Sequence, residues 1–107
     1  MTDKELIELA AKAAGLHVKV SSNSGIGLKV HGNCNWWNPL TDDGDALRLA
    51  VSLGFIVDID TEEHYTEIEF TSNYEDKSVS EGHGFDATEA TRRAITRAAA
   101  QIGKEME

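Results

Sequence analysis

One segment of this chain concentrates side chains able to recognise a ligand: Gly32-Asn33-Cys34-Asn35-Trp36-Trp37-Asn38-Pro39-Leu40-Thr41-Asp42-Asp43-Gly44-Asp45. It holds both tryptophans and the only proline. Adjacent indoles in a connecting loop can stack on a planar ligand or anchor a partner protein, or else cap the end of the core. Asp42, Asp43 and Asp45 can offer carboxylate oxygens, or can simply favour the positive dipole end of the helix they introduce. Calcium of the helix-loop-helix type is not expected, because the required glutamate twelve positions along is replaced by Gly54. Arg92 and Arg93, with Arg97 one turn later, can grip a phosphate or carboxylate, or can neutralise the acidic middle of the chain. Arg48, one turn into the preceding helix, can do either.

Catalytic patterns are weak. His83 stands between two glycines, with no serine or cysteine motif beside it, and Cys34 has four histidines to pair with by coincidence alone. There is no glycine loop for phosphate, no zinc-spaced set and no dinucleotide fingerprint. The expectation is a protein that is not an enzyme and uses neither metal nor cofactor. A small hydrolase built on His83 and nearby carboxylates is the least favoured class.

The charge map narrows the partners. The 107 residues carry 19 acidic and 10 basic side chains, a net charge of −9. Residues 42–86 hold 13 of the carboxylates against Arg48 and Lys77 alone. Direct nucleic-acid binding and adhesion to anionic lipid both need a basic face, so neither is expected. One cysteine, no long apolar run and an acidic start suggest a cytoplasmic protein without a signal peptide or membrane span.

These residues must be held by a small set of elements. Thr2 and Glu5 form a capping box ahead of a helix from Asp3 to Ala14, stopped by Gly15. Alternation in 16–20 and 26–30 gives a hairpin across Ser22-Asn23-Ser24-Gly25. A second helix runs from about Asp43 to Leu53, capped by Thr41 or Asp42, with Leu47, Ala50 and Val51 inward. A second hairpin follows, 55–60 with 65–70, and the Gly-strand pattern at Gly15 repeats at Gly54. Either an αββ unit is duplicated, or each is simply a glycine-capped helix followed by a strand. Residues 72–85 read as a polar loop in which 77–80 can form a short edge strand. Asp86 and Glu89 open a last helix with Ala94, Ile95, Ala98, Ala99, Ile102 and Met106 buried.

The expected fold is a single-domain α+β sandwich over residues 1–107, in the order α-β-β-α-β-β-α. Its four-stranded, mainly antiparallel sheet places Leu16, Val18, Val20, Ile26, Leu28, Val30, Phe55, Val57, Ile59, Ile68 and Phe70 on one buried face. The opposite face carries His17, Lys19, Lys29, His31, Asp58, Asp60, Glu67 and Glu69.

Two strings, Trp37-Asn38-Pro39-Leu40-Thr41-Asp42-Asp43-Gly44-Asp45-Ala46-Leu47-Arg48-Leu49-Ala50-Val51 and Ala90-Thr91-Arg92-Arg93-Ala94-Ile95-Thr96-Arg97-Ala98-Ala99-Ala100, resemble the small phage and prophage proteins grouped as the phage ABA sandwich domain. The resemblance spans about residues 36–104. The doubled Trp36-Trp37, and Phe85 before the last helix, depart from its pattern. It implies helices on both sides of a sheet and a phage or prophage setting, and brings no activity with it.

The leading functional expectation is an accessory protein that binds a partner or a small, nucleotide-like ligand. Its site would comprise Trp36, Trp37, Asn38, Asp42, Asp43, Asp45, Arg48, Arg92 and Arg93, with a base on Trp37 and phosphate on Arg92 or Arg93. The alternative is an acidic inhibitor, a nucleic-acid mimic directed at a host protein through residues 42–86.

Overall fold

The computed structural model describes residues 2–16, 18–20, 28–30, 36–84 and 86–106. Helix α1 (Asp3–Ala13) begins where the Thr2 side chain accepts the Glu5 amide at 3.2 Å. It ends with Gly15 in the left-handed region, the Gly15 amide donating to Lys12 and the Leu16 amide to Ala11. Helix α2 (Asp43–Leu53) ends in the same way, with Gly54 at φ 69° and the Phe55 amide donating to Ala50. Only a residue without Cβ takes this conformation at little cost, and the residue after it folds back onto the helix. Leu16 and Phe55 both pack against the core. The Gly15/Gly54 likeness in sequence is thus first a repeated helix stop.

The strands depart from expectation. The body of the fold has the order α-α-β-β-β-α, and its sheet has three strands, not four: β4 (Ile56–Asp60), β5 (Tyr65–Ser72) and β6 (Glu75–Gly82), all antiparallel with β5 central. Between α1 and α2 lies a smaller ladder of β1 (Val18–Val20), β2 (Leu28–Val30) and β3 (Trp36–Trp37). The two hairpins lie in separate ladders, β3 taking the second edge of β2 and β6 the second edge of β5. Trp36 and Trp37, expected in a loop too polar for a strand, supply the third strand of the small ladder, opposite Lys29 and Leu28.

Strand β6 fills most of the stretch read as a polar loop and extends the short edge strand allowed at 77–80. Asn73 and Tyr74 both have positive φ and join β5 to β6 by a two-residue turn, from Ser72 opposite Glu75. Along β6 only Val79 is a buried apolar residue, opposite Ile68. An edge strand with one solvated face needs no more than that, so its composition reads as a loop.

Helix α3 (Ala87–Glu105) starts at Asp86, whose carboxylate accepts the Thr88 and Glu89 amides. It is the common partner of α1, α2, β5 and β6. Thr66, Ile68 and Phe70 of β5 face it and are buried, while Phe55 tilts against Phe70 with ring centres 5.5 Å apart. Val57 and Ile59 lie on this same face, opposite Ile68 and Thr66, but at the uncovered edge, and both are exposed. The expected shared face therefore dissolves. Val18, Val20, Leu28 and Val30 belong to the smaller ladder, Leu16 is a helix stop, and Ile26 lies outside the described residues. No described helix covers the other face of β4–β6, which departs from helices on both sides.

Two further corrections concern helix faces. On α2, Ala46, Leu49 and Ala50 are inward, whereas Leu47 and Val51 are 63% and 71% exposed. On α3, Met106 is exposed and Gly103 is buried. Gly103 has a specific reason: a Cβ there would sit 2.0 Å from the Leu9 carbonyl oxygen of α1. The helices touch backbone to backbone. No described helix is long and apolar enough to cross a membrane.

Ion pairs tie the rim of the sheet to α3. Arg97 pairs with Glu81, and Glu105 accepts from both Lys77 and Ser72. The Lys77 and Ser72 hydrogen bonds hold the Glu105 carboxyl below the usual glutamate range.

Gly103→Ala is expected to destabilise. The gain in helix propensity is at most about 1 kcal/mol, whereas forcing atoms into a packed contact costs about 1–3 kcal/mol, and here the obstacle is backbone. A urea midpoint at or above that of the parent would show that α1 can move aside. Glu105→Gln should lower stability at neutral pH. Because the folded-state carboxyl is the stronger acid, its stabilisation is present above the ordinary glutamate range and is lost as pH falls through the lowered value. Parent and variant melting curves should therefore converge on acidification, and a gap that persists would assign the effect to packing.

Candidate functional site

The segment that connects β3 to α2 is knitted by its own polar groups. Asn38 accepts the Leu40 amide on its side chain at 2.9 Å, and its carbonyl accepts the Thr41 and Asp42 amides. Its own buried amide donates to Asp45 Oδ2 at 2.9 Å. Pro39 and Leu40 are buried with it. Asp42, rather than Thr41, is the N-cap of α2 and accepts the Asp45 amide. The carboxylates thus act at a helix start, where backbone donors and the dipole favour them.

The arginines divide. Arg92 reaches from α3 to the Leu40 carbonyl, 2.8 Å from Nε, and to Asp43 Oδ1, 2.6 Å from Nη1. Arg48 donates to Asp45 Oδ1 at 2.8 Å, although its side chain is mostly in solvent. Arg93, one residue along α3, points to Asp3 of α1 instead, at 3.1 Å. Successive helix residues diverge by about 100°, so one of the two adjacent arginines serves the loop and the other serves the helix pair.

The structure thus gathers Trp37, Asn38, Asp42, Asp43, Asp45, Arg48 and Arg92 at one place and leaves Arg93 out. Trp37 is only 8% exposed and belongs to the core cluster, so its indole face is not free to stack on a ligand. The side chain of Trp36 lies outside the described residues, as do His17, His31, Cys34 and Phe85. A phosphate on Arg92 would have to displace Asp43. What the cluster does chemically is hold itself, and the α2–α3 junction, in place.

His83 resolves as part of a buried chain. Its Nε2 lies 2.8 Å from Thr66 Oγ1, which lies 3.0 Å from Thr91 Oγ1, and Thr91 donates to the Ala87 carbonyl. With the Thr91 proton committed to that carbonyl, Thr66 donates to Thr91 and His83 Nε2 donates to Thr66. Thr66 is fully buried and His83 nearly so, and the chain ties β5 and the end of β6 to α3.

The feature that sequence reasoning undervalued is the uncovered face of β4–β6. Ile56, Asp58 and Asp60 share it with Tyr65, Glu67, Glu69 and Thr71 of β5 and with Asp76, Ser78 and Ser80 of β6. The sequence reading placed Lys19 and Lys29 on this face. They lie on β1 and β2 instead, in the other ladder, so these two lysines and the carboxylates sit in different sheets. Among the described residues none of Asp58, Glu67, Glu69 and Asp76 is salt-bridged; Asp76 accepts only from Thr71, at 3.1 Å. Asp58 stands directly opposite Glu67, a like-charge pair that opposes folding. The field is felt by Tyr65, whose hydroxyl is held above the ordinary phenol range, first by Asp60, then by burial, then by Glu67, Asp58 and Glu63. An open cleft of about 450 Å³ is lined in part by Ile56, Glu67, Glu69, Thr71, Asp76 and Ser78.

Compared with protein-family models, curated proteins and solved structures, the chain matches none of them.

Asp45 tests whether the tryptophan segment is scaffolding. Asp45→Ala removes the carboxylate that accepts from the buried Asn38 amide and should cost about 1–3 kcal/mol. Arg48→Ala removes only an ion pair whose guanidinium lies mostly in solvent, worth about 1 kcal/mol or less. Urea denaturation should rank Asp45→Ala well below Arg48→Ala, and equal losses would mean that the ion pair, not the buried amide, matters.

Proposed function

We propose that this chain is a non-enzymatic binding protein whose acidic, uncovered β4–β6 face engages a basic surface on another protein. The observation that supports this reading is the carboxylate set Asp58, Glu67, Glu69 and Asp76 on one sheet face, Glu67 half-buried and the other three exposed, none of them ion-paired among the described residues. Surface carboxylates often serve solubility alone. Here they are arrayed on one rigid sheet, with Asp58 and Glu67 directly opposed at a cost to stability that scattered charges would avoid. A partner carrying lysines and arginines relieves that repulsion on binding, and its approach is steered by the same field.

Proteins that grip phosphates present such basic surfaces, so this reading follows the acidic-inhibitor alternative rather than the ligand loop. A small-ligand site at the tryptophan segment has less support, since Trp37 is buried and Arg92 is held by Leu40 and Asp43. On the resemblance to the phage ABA sandwich proteins, the setting we propose is a phage or prophage accessory protein acting on a host protein in the cytoplasm.

A decamer of lysine is a suitable probe. Its affinity should fall with added salt, and the triple variant Asp58→Asn, Glu67→Gln, Glu69→Gln should bind more weakly by roughly 0.2–1 kcal/mol for each charge pair lost. A control that removes three other carboxylates, Glu5→Gln, Glu8→Gln, Glu89→Gln, should bind almost as the parent does. In a Tyr74→Phe background, absorbance titration isolates Tyr65, and bound deca-arginine, which keeps its charge through the phenol range where lysine does not, should bring its pKa back down. Equal losses in the two triple variants, with Tyr65 unmoved, would reduce the effect to net charge and remove the proposed face.

A further inference from the structure

We infer that β4 is an acceptor edge to which the partner adds an extended segment with lysine or arginine at alternate positions and apolar residues between. This rests on the reading of the acidic face above and specifies how the partner docks.

Among the described residues the principal sheet has two unpaired edges, and they are built differently. Strand β6 carries Asp76, Lys77, Ser78, Ser80 and Glu81, the charged and polar residues that commonly guard an edge. Strand β4 is Ile56-Val57-Asp58-Ile59-Asp60, with no lysine, no proline and no glycine. Its apolar side chains lie open: Ile56 is 61% exposed and Ile59 50%, with Val57 exposed between them. A strand laid beside β4 would bury all three while pairing its backbone groups.

The register fixes what that strand must carry. Ile56, Asp58 and Asp60 face the acidic side, in line with Glu69, Glu67 and Tyr65, whereas Val57 and Ile59 face the helix side. Side chains of an added strand alternate in the same way. Those on the acidic side meet Asp58 and Asp60, with Glu67 one strand beyond, and cations are favoured there. Those on the helix side meet Val57 and Ile59, and apolar residues are favoured. A second copy of this chain does not fit. Two β4 strands paired antiparallel about Asp58 would set Asp58 against Asp58 on a face already crowded with carboxylates, which is destabilising.

The test compares two nine-residue peptides of identical composition, one alternating lysine and valine, the other with its five lysines together. Amide hydrogen exchange and NMR titration follow residues 56–60. The alternating peptide should bind about tenfold more tightly, the sum of a few cross-strand pairs, and should protect β4 amides that the block peptide leaves unprotected. Val57→Glu with Ile59→Glu should abolish that preference, although it makes the protein more acidic. Should both peptides bind alike, gain affinity in the double variant and protect nothing on β4, the strand docking is wrong while the acidic face stands. If neither peptide binds, both readings fall. Concentration-dependent dimers with β4 protected in the absence of peptide would assign the edge to a second copy and overturn the inference.

Discussion

The whole arrangement turns on how closely α1 approaches α3 at Gly103. With no side chain at that position, the Leu9 carbonyl rests against the α3 backbone. Ala94, Ala98 and Ala99 keep α3 slender elsewhere, and all are buried. A helix so thin can be surrounded, and α3 is touched by α1, α2, β5 and β6. Small side chains bury little apolar area each, so polar links supplement them: Arg93 to Asp3, Arg92 to Leu40 and Asp43, Thr91 to Thr66, Arg97 to Glu81. Coverage of the sheet then has a geometric limit. A helix with its side chains is about 10 Å wide, and strands lie about 4.8 Å apart, so one helix shields about two strands. Those are β5 and β6. Strand β4 is left outside because no second helix is laid on the sheet beside α3.

The tryptophan segment shows how a stretch rich in recognition chemistry becomes structural. Its polar atoms are matched to one another within a few residues, Asn38 with Leu40 and Asp45, Asp42 with Asp45. Arg92 then bolts the assembly to a helix about fifty residues away in sequence. A buried turn must satisfy its backbone groups, and side chains of the kind that bind ligands are also those that can do so.

Much of the local structure was legible. The stops at Gly15 and Gly54 and the caps at Thr2 and Asp86 follow from short-range chemistry, and all appear as read. The sheet was not, because alternating hairpins carry no mark of which other hairpin they join, and the pairing of β2 with Trp36-Trp37 is a long-range choice. The inward face of α2 was ambiguous because Ala46, Leu47, Leu49, Ala50 and Val51 surround much of the helix with apolar groups. At the loop, the sequence gathered the right segments yet had no means to tell Arg92 from its neighbour Arg93. The acidic residues of the exposed face were seen one by one, but Lys19 and Lys29, expected on the same face, lie in the other ladder.

These pieces bear on one another at β4. An apolar, unguarded strand edge is ordinarily an aggregation hazard, and the usual remedy is a lysine on the strand itself. This chain uses carboxylates instead, Asp58 and Asp60 on β4 itself and Glu67 and Glu69 on the strand next to it. That charge repels another copy of the same acidic protein without obstructing the backbone groups of the edge. A guard of this kind depends on sign. It excludes acidic chains and admits basic ones, which a lysine on the strand or a covering helix would not do. The same carboxylates that weaken the isolated sheet therefore make the open edge selective, and the slender α3 that leaves β4 uncovered makes that edge accessible.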